Sequence, residues 1–145
     1  ECSMDEVEFR TCLQQAVVET CREVQVVAST SQDDPTAVFG RHGVVAELGI
    51  HVDGGVTSFG VFLNVSCRLD EAREIGRGLL GQRISSLNAE RVRPTQMPQV
   101  RSALIQHLCT QLGYPDYHLH TGHPFLKRTR TQIHDKFANP QSTDE

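Results

Sequence analysis

Near the start of the chain Phe9, Leu13, Ala16, Val17, Thr20 and Val24 recur at three- and four-residue spacing. That period stacks side chains on one face of a helix and predicts an amphipathic helix over residues 5–28. Ser3 or Asp5 can cap its start, because a short side-chain oxygen there accepts an orphan backbone N–H. Ser29–Pro35 is polar and ends in proline, so it reads as a loop. Two apolar runs follow. Val44–Val52 is interrupted only by Glu47, Gly49 and His51, and Val56–Val65 is rich in Val, Phe and Leu. Both read as strands, and Asp53-Gly54-Gly55 between them signals a hairpin turn.

Asp70–Arg77 predicts a short helix, and Gly76, Gly78 and Gly81 mark an irregular loop after it. A second long helix is predicted over residues 96–112. Val100, Leu104, Leu108 and Leu112 form its apolar face, Thr95 offers a cap, and Gly113 then Pro115 stop it. After Pro115 the periodicity disappears, so 5–113 is expected to be the folded domain and 114–145 an extended C-terminal tail for partner contacts. No internal repeat is present. Helix, hairpin, irregular loop and helix make an α+β domain with a mixed, mostly antiparallel sheet flanked by helices.

Composition narrows the function. The 145 residues are 38% hydrophobic and 22% charged, with a formal net charge of −4. Such a chain can bury a core, and nucleic-acid binding has no whole-domain charge to rest on. The five cysteines, Cys2, Cys12, Cys21, Cys67 and Cys109, are odd in number and form no CxxC. That argues against a disulfide framework or zinc ribbon and for a reducing compartment. No apolar run approaches the ~20 residues of a membrane span. The opening Glu1-Cys2-Ser3-Met4 is not a plausible start of translation, so an upstream segment is expected to have been removed or to be carried by another chain. The only lysines are Lys127 and Lys136, which rules out lysine-dependent chemistry in the first 126 residues.

Two constellations lie in the tail. His118, His120 and His123 could face a metal from an extended segment, but no Cys or acidic partner sits at motif spacing, so a His-rich surface loop is the better reading and no metal or other cofactor is expected. Lys127, Arg128 and Arg130, with Phe125 and Phe137 nearby, could meet RNA phosphates and bases or dock on an acidic protein surface. A run this short favours a solvated or protein-docking segment.

The strands carry a resemblance. Val45-Ala46-Glu47-Leu48-Gly49-Ile50 followed by Gly55-Val56-Thr57-Ser58-Phe59-Gly60-Val61-Phe62-Leu63-Asn64-Val65 resembles the octanoyltransferase family, whose pattern here is roughly K-I-A-A-I-G and then V-T-Y-H-G-x-A-L-N-V. Gly76-Arg77-Gly78 through Ile84-Ser85-Ser86-Leu87 is similar to that family's P-C-G loop and V-T-S-L. Arg93-Pro94-Thr95 into the helix ending at Leu112-Gly113 looks like its last helix. The resemblance covers residues 5–113, about the C-terminal two-thirds of the family fold, and implies the architecture shared with biotin and lipoate protein ligases. The family's N-terminal R-G-G and H-G-P-G-Q segments are absent. Gly49, Gly60, Asn64, Gly78, Ser86 and Leu87 match at positions that serve the backbone and packing.

The departures carry the functional expectation. The family takes its acyl group on a cysteine thiolate with a lysine beside it. Here the lysine position is Val44, the cysteine position is Arg77 and the histidine of H-G is Phe59. Val carries no charge and Arg is neither nucleophile nor proton acceptor. Losing a covalent nucleophile alone costs a factor of roughly 10⁶. Cys67, beside Arg68, is the one nearby substitute, although a small buried hydrophobe is the better reading of it. Val44 and Phe59 are expected to pack in each other's neighbourhood and fill the former cavity.

The resemblance thus implies a non-catalytic pseudo-octanoyltransferase that acts as a structural or assembly subunit. Eukaryotic members being mitochondrial, it implies a larger mitochondrial complex: a ribosome, its assembly intermediate or an RNA-processing particle. The expected partners are other protein subunits, among them a chain supplying the missing N-terminal third, and RNA through the tail. The competing reading is an octanoyl or lipoyl transferase, or a lipoyl-group binder, completed by a second chain.

Overall fold

The computed structural model describes residues 4–75 and 81–114. Gly76, Arg77, Gly78 and all of the tail beyond Tyr114, with Lys127, Arg128, Arg130 and the three histidines, lie outside the described residues.

The first helix, α1, runs Glu6–Glu23. Asp5 caps it: its carboxylate accepts the Glu8 N–H at 2.7 Å and the Glu8 carboxylate accepts the Asp5 N–H at 3.2 Å, a reciprocal box that satisfies two otherwise orphan donors. The periodicity suggested a helix to residue 28, and the structure stops it five residues earlier. Gln25 takes φ 62°. Its N–H bonds the Arg22 carbonyl at 2.9 Å, and the Val26 N–H bonds the Cys21 carbonyl at 2.7 Å. This is the Schellman closure, here with glutamine where glycine is usual. The strained residue is offset by the burial of Val24 and Val26 on either side of it.

Four strands form one sheet in the order β1-β2-β3-β4, with every neighbouring pair antiparallel. They are β1 Ser29–Thr30, β2 Ala37–Phe39, β3 Val44–Asp53 and β4 Val56–Leu63. The long hairpin β3–β4 is the expected one, closed by Gly54 at φ 56° and Gly55 at φ 79°. Both central residues of such a two-residue turn need positive φ to match the twist of the strands. The short strand β2 lies in a stretch with no predicted element, and β1 precedes it in the Ser29–Pro35 stretch expected to be loop. Asp34, buried within it, organises the approach: its carboxylate accepts the Thr36 N–H and hydroxyl and the Gln82 amide.

The helix α2 spans Leu69–Ile75 and α3 spans Met97–Gln111. Thr95 does not cap α3. The N-cap is Gln96, with no side-chain capping bond. Thr95 is buried and otherwise engaged, with its N–H on Asn88 Oδ1 at 2.7 Å and its hydroxyl accepting from Arg91 at 2.7 Å.

One face of the sheet is covered. α1 lies over β1, β2 and β3, and α3 packs alongside α1. Leu13, Val17, Val38, Val45, Leu48, Leu87 and Val100 meet there in a single apolar cluster. Each such side chain contributes roughly 1.5–3 kcal/mol by leaving water. On the opposite face Phe62 and Val56 are each 70% exposed. Among the described residues no helix is long and apolar enough to cross a membrane.

Candidate functional site

Of the positions singled out by resemblance, Val44, Asn64, Ser86 and Leu87 lie around the start of β3. Pairing slips between Val38 and Phe39: Val38 faces Ala46 while Phe39 faces Val44. The extra residue makes a bulge, which bends the strand and explains why Val44, Val45 and Ala46 are all fully buried despite strand alternation. The backbone of Val44 is held on both sides. Its N–H donates to the Arg83 carbonyl and its carbonyl accepts from Ser85, both at 2.8 Å. The side chain at the family's lysine position therefore has 0% exposure.

Phe59 is elsewhere. The register sets it opposite Ile50, six residues along β3 from Val44 and so about 20 Å away at strand rise. The expectation that Val44 and Phe59 pack in each other's neighbourhood is corrected. The unbroken β3–β4 register keeps the two positions apart along the sheet, and a motif resemblance says nothing of which positions the register brings side by side. One void of about 370 Å³ lies at the hairpin tip between Phe9, Val52, Thr57, Leu112 and Tyr114.

The matched positions have definable places. Gly49 and Gly60 face each other across β3 and β4. Asn64 works through its backbone: its N–H bonds the Val45 carbonyl and its carbonyl accepts from Leu87, both at 2.8 Å, stitching the end of β4 to the segment after the irregular loop. The Ser86 carbonyl accepts from Ala89 and Glu90 at 3.0 and 3.1 Å, forming a tight turn, and Leu87 is fully buried in the core.

That turn aims a group the sequence reading missed. The Glu90 side chain is 1% exposed. Its carboxylate accepts the Arg41 N–H at 2.8 Å, the His42 N–H at 3.0 Å, the Ser85 hydroxyl at 2.5 Å, and pairs with His42 Nδ1 at 3.0 Å. Burial pushes its pKa up, but the bonds from Ser85, from the His42 backbone and ring and from the Arg41 backbone outweigh that and leave it below the usual carboxylate range. The β2–β3 turn is shaped around it. A side chain on Gly40 would come within 2.6 Å of the Glu90 carboxyl carbon, and one on Gly43, at φ 150°, within 2.2 Å of the Arg83 carbonyl oxygen. Ser85 and His42 both hang from the carboxylate rather than forming a chain from hydroxyl to ring to acid, so the cluster lacks the order of a nucleophilic triad. The flanking glycines of Gly40-Arg41-His42-Gly43 were its only signal in the sequence.

Of the described cysteines, Cys21 and Cys67 bear on thiol chemistry. Cys21 is buried, and burial first, then the Glu90 charge, pushes its thiol up to about 12. Cys67 is exposed, which corrects its reading as a small buried hydrophobe, and the neighbouring Arg68 is paired with Glu71 at 2.7 Å and Asp70 at 3.5 Å. Among the described residues no three His, Cys, Asp or Glu side chains are placed to hold a metal ion.

No protein-family model matches the chain, and no curated protein matches it in sequence. Solved structures do match. A proposed lipoate protein ligase from T. acidophilum, determined both with bound lipoic acid and without it, superposes with TM-scores of 0.58 and 0.59 at 17% identity, over 78% of this chain and 48% of that one. The chain spans about half the length of the structures it matches. Its α+β architecture is that of part of a lipoate-protein-ligase-like fold.

Proposed function

We infer that this chain is a non-catalytic, octanoyltransferase-like domain that serves as a structural or assembly subunit of a larger mitochondrial complex, a ribosome, ribosome-assembly or RNA-processing particle. The observation that carries the reading is Val44. At the position where the resembled family needs a lysine, the chain has a fully buried apolar side chain whose backbone is fixed from both sides. A cation cannot be borrowed there, because bringing a charge into a site without water or partners costs far more than it returns. Arg77 stands at the cysteine position by sequence. The buried Cys21 thiol is pushed up to about 12, by burial first and then by the Glu90 charge, which takes it further from forming a thiolate. Residues 114–145, with Lys127, Arg128 and Arg130, are the segment proposed to contact partner protein or RNA.

A second reading draws support from the solved structure that holds lipoic acid. A domain of this fold could bind a lipoyl or octanoyl group without transferring it, with a further chain completing the pocket. Affinity purification of the tagged protein from mitochondria separates the two. The subunit reading expects stoichiometric recovery with the proteins or RNA of a large particle. Recovery with lipoyl-bearing proteins or acyl-carrier protein, and no particle, would overturn it.

A further inference from the structure

We propose that two copies of this chain join through β4, antiparallel across a two-fold axis at residue 59, to make one continuous eight-stranded sheet.

The two ends of the sheet differ. β1 is two residues long and offers little to pair with. β4 is eight residues long and, among the described residues, has a neighbour on one side only. Its sequence Val56-Thr57-Ser58-Phe59-Gly60-Val61-Phe62-Leu63 contains no charge and no proline. Solitary edge strands are normally protected by lysine, proline, bulges or short length, and β4 has none of these. It pairs with β3 without a register break from Asp53–Val56 to Ala46–Leu63, so no bulge turns the edge aside.

The geometry favours a second copy over an unrelated strand. Asp53 and Val56 flank a two-residue turn, so they exchange hydrogen bonds, and the pattern alternates from there. Val56, Ser58, Gly60 and Phe62 therefore spend their backbone groups on β3. Thr57, Phe59, Val61 and Leu63 direct theirs to the open edge. A two-fold through residue 59 sets Thr57 opposite the second copy's Val61, so that edge donors meet edge acceptors and about six ladder hydrogen bonds form. The same register sets Val56 opposite Phe62 of the second copy, twice. These are the two side chains of β4 that stand 70% exposed on the uncovered face. They fall at a non-hydrogen-bonded pair, where side chains approach most closely. Any antiparallel edge strand can meet the first condition, and the second is particular to the placing of Val56 and Phe62 three residues either side of Phe59. This one satisfies them with itself, which is the requirement of an isologous interface.

The test is sedimentation velocity of the 145-residue chain across a concentration series with reductant present, since Cys67 is exposed. The unsubstituted chain is expected to move from monomer to dimer. Phe62→Lys places a charge at an exposed position and is expected to weaken dimerisation at least about tenfold, equivalent to 1.4 kcal/mol. Thr57→Pro removes an edge donor while leaving the β3 ladder complete, and is expected to do the same. Both variants are checked for an unchanged circular dichroism spectrum, and either one that keeps its fold suffices. A chain that stays monomeric throughout, or a dimer indifferent to a folded variant, overturns the proposal.

Discussion

His42 Nδ1 and Glu90 Oε2 sit 3.0 Å apart although 48 residues separate them in sequence. That contact ties the β2–β3 turn to the turn that follows the irregular loop, and it makes one carboxylate the shared anchor of Arg41, His42 and Ser85.

Acid should find this anchor. Glu90 has its pKa held below the unfolded value of about 4.3, so its contribution to stability is complete above that value and is lost as pH falls through the lower, folded one. Glu90→Gln should cost about 1–3 kcal/mol at pH 7, because it leaves the buried Ser85 hydroxyl and the Arg41 and His42 N–H groups facing a weaker acceptor and an amide N–H₂. Urea unfolding at pH 7 and at pH 3 measures both. The variant should also lose less stability than the parent on going to pH 3. An equal loss in the two proteins would show that Glu90 is not the titrating group.

A lysine at position 44 should destabilise the fold. In Val44→Lys the ammonium would enter a position with 0% exposure, and several kcal/mol of destabilisation is expected from its desolvation. Val44→Ala, which deletes only apolar contacts, should cost less, about 1–3 kcal/mol. Thermal melts of the two variants give the comparison. A Val44→Lys protein as stable as the parent would mean that the site opens to water, which the fixed backbone at Arg83 and Ser85 argues against.

Much of this fold was legible in the sequence because its signals were local. Helical spacing gave the faces of α1 and α3, and Gly54-Gly55 gave the hairpin. What escaped was set by tertiary contact. Gln25 ends α1 in a conformation its side chain does not advertise, because Val24 and Val26 are buried by adopting it. β1 and β2 are too short for alternation to register, and β2 exists because β3 lies beside it. Thr95 looked like a cap and is held instead by Asn88 and Arg91. At the candidate site the motif positions were readable, but the distance between Val44 and Phe59 and the convergence on Glu90 depend on register and on a turn 48 residues away. Periodicity carries neither.

The segment after Tyr114 should be needed for assembly and dispensable for the fold. The helix α3 ends at Gln111, and the carbonyls of Thr110 and Cys109 accept from the N–H groups of Gly113 and Tyr114, while the core cluster draws on residues up to Leu108. A chain truncated after Tyr114 should keep its circular dichroism spectrum and a melting temperature within a few degrees of the parent. Expressed in cells, it should fail to enter the particle recovered with the full-length chain. Normal incorporation of the truncated chain would remove these residues from the proposed contact surface.

The most direct measurement is intact-protein mass spectrometry after incubation with octanoyl-acyl-carrier protein and a lipoyl-domain acceptor. With Val44 buried where the resembled family carries lysine, Arg77 where it carries cysteine, and the Cys21 thiol pushed up to about 12, the account expects no acyl adduct on the chain and no acylated acceptor above the uncatalysed background. A stable octanoyl thioester on any cysteine, Cys67 included, together with acceptor acylation that depends on it, would contradict the account.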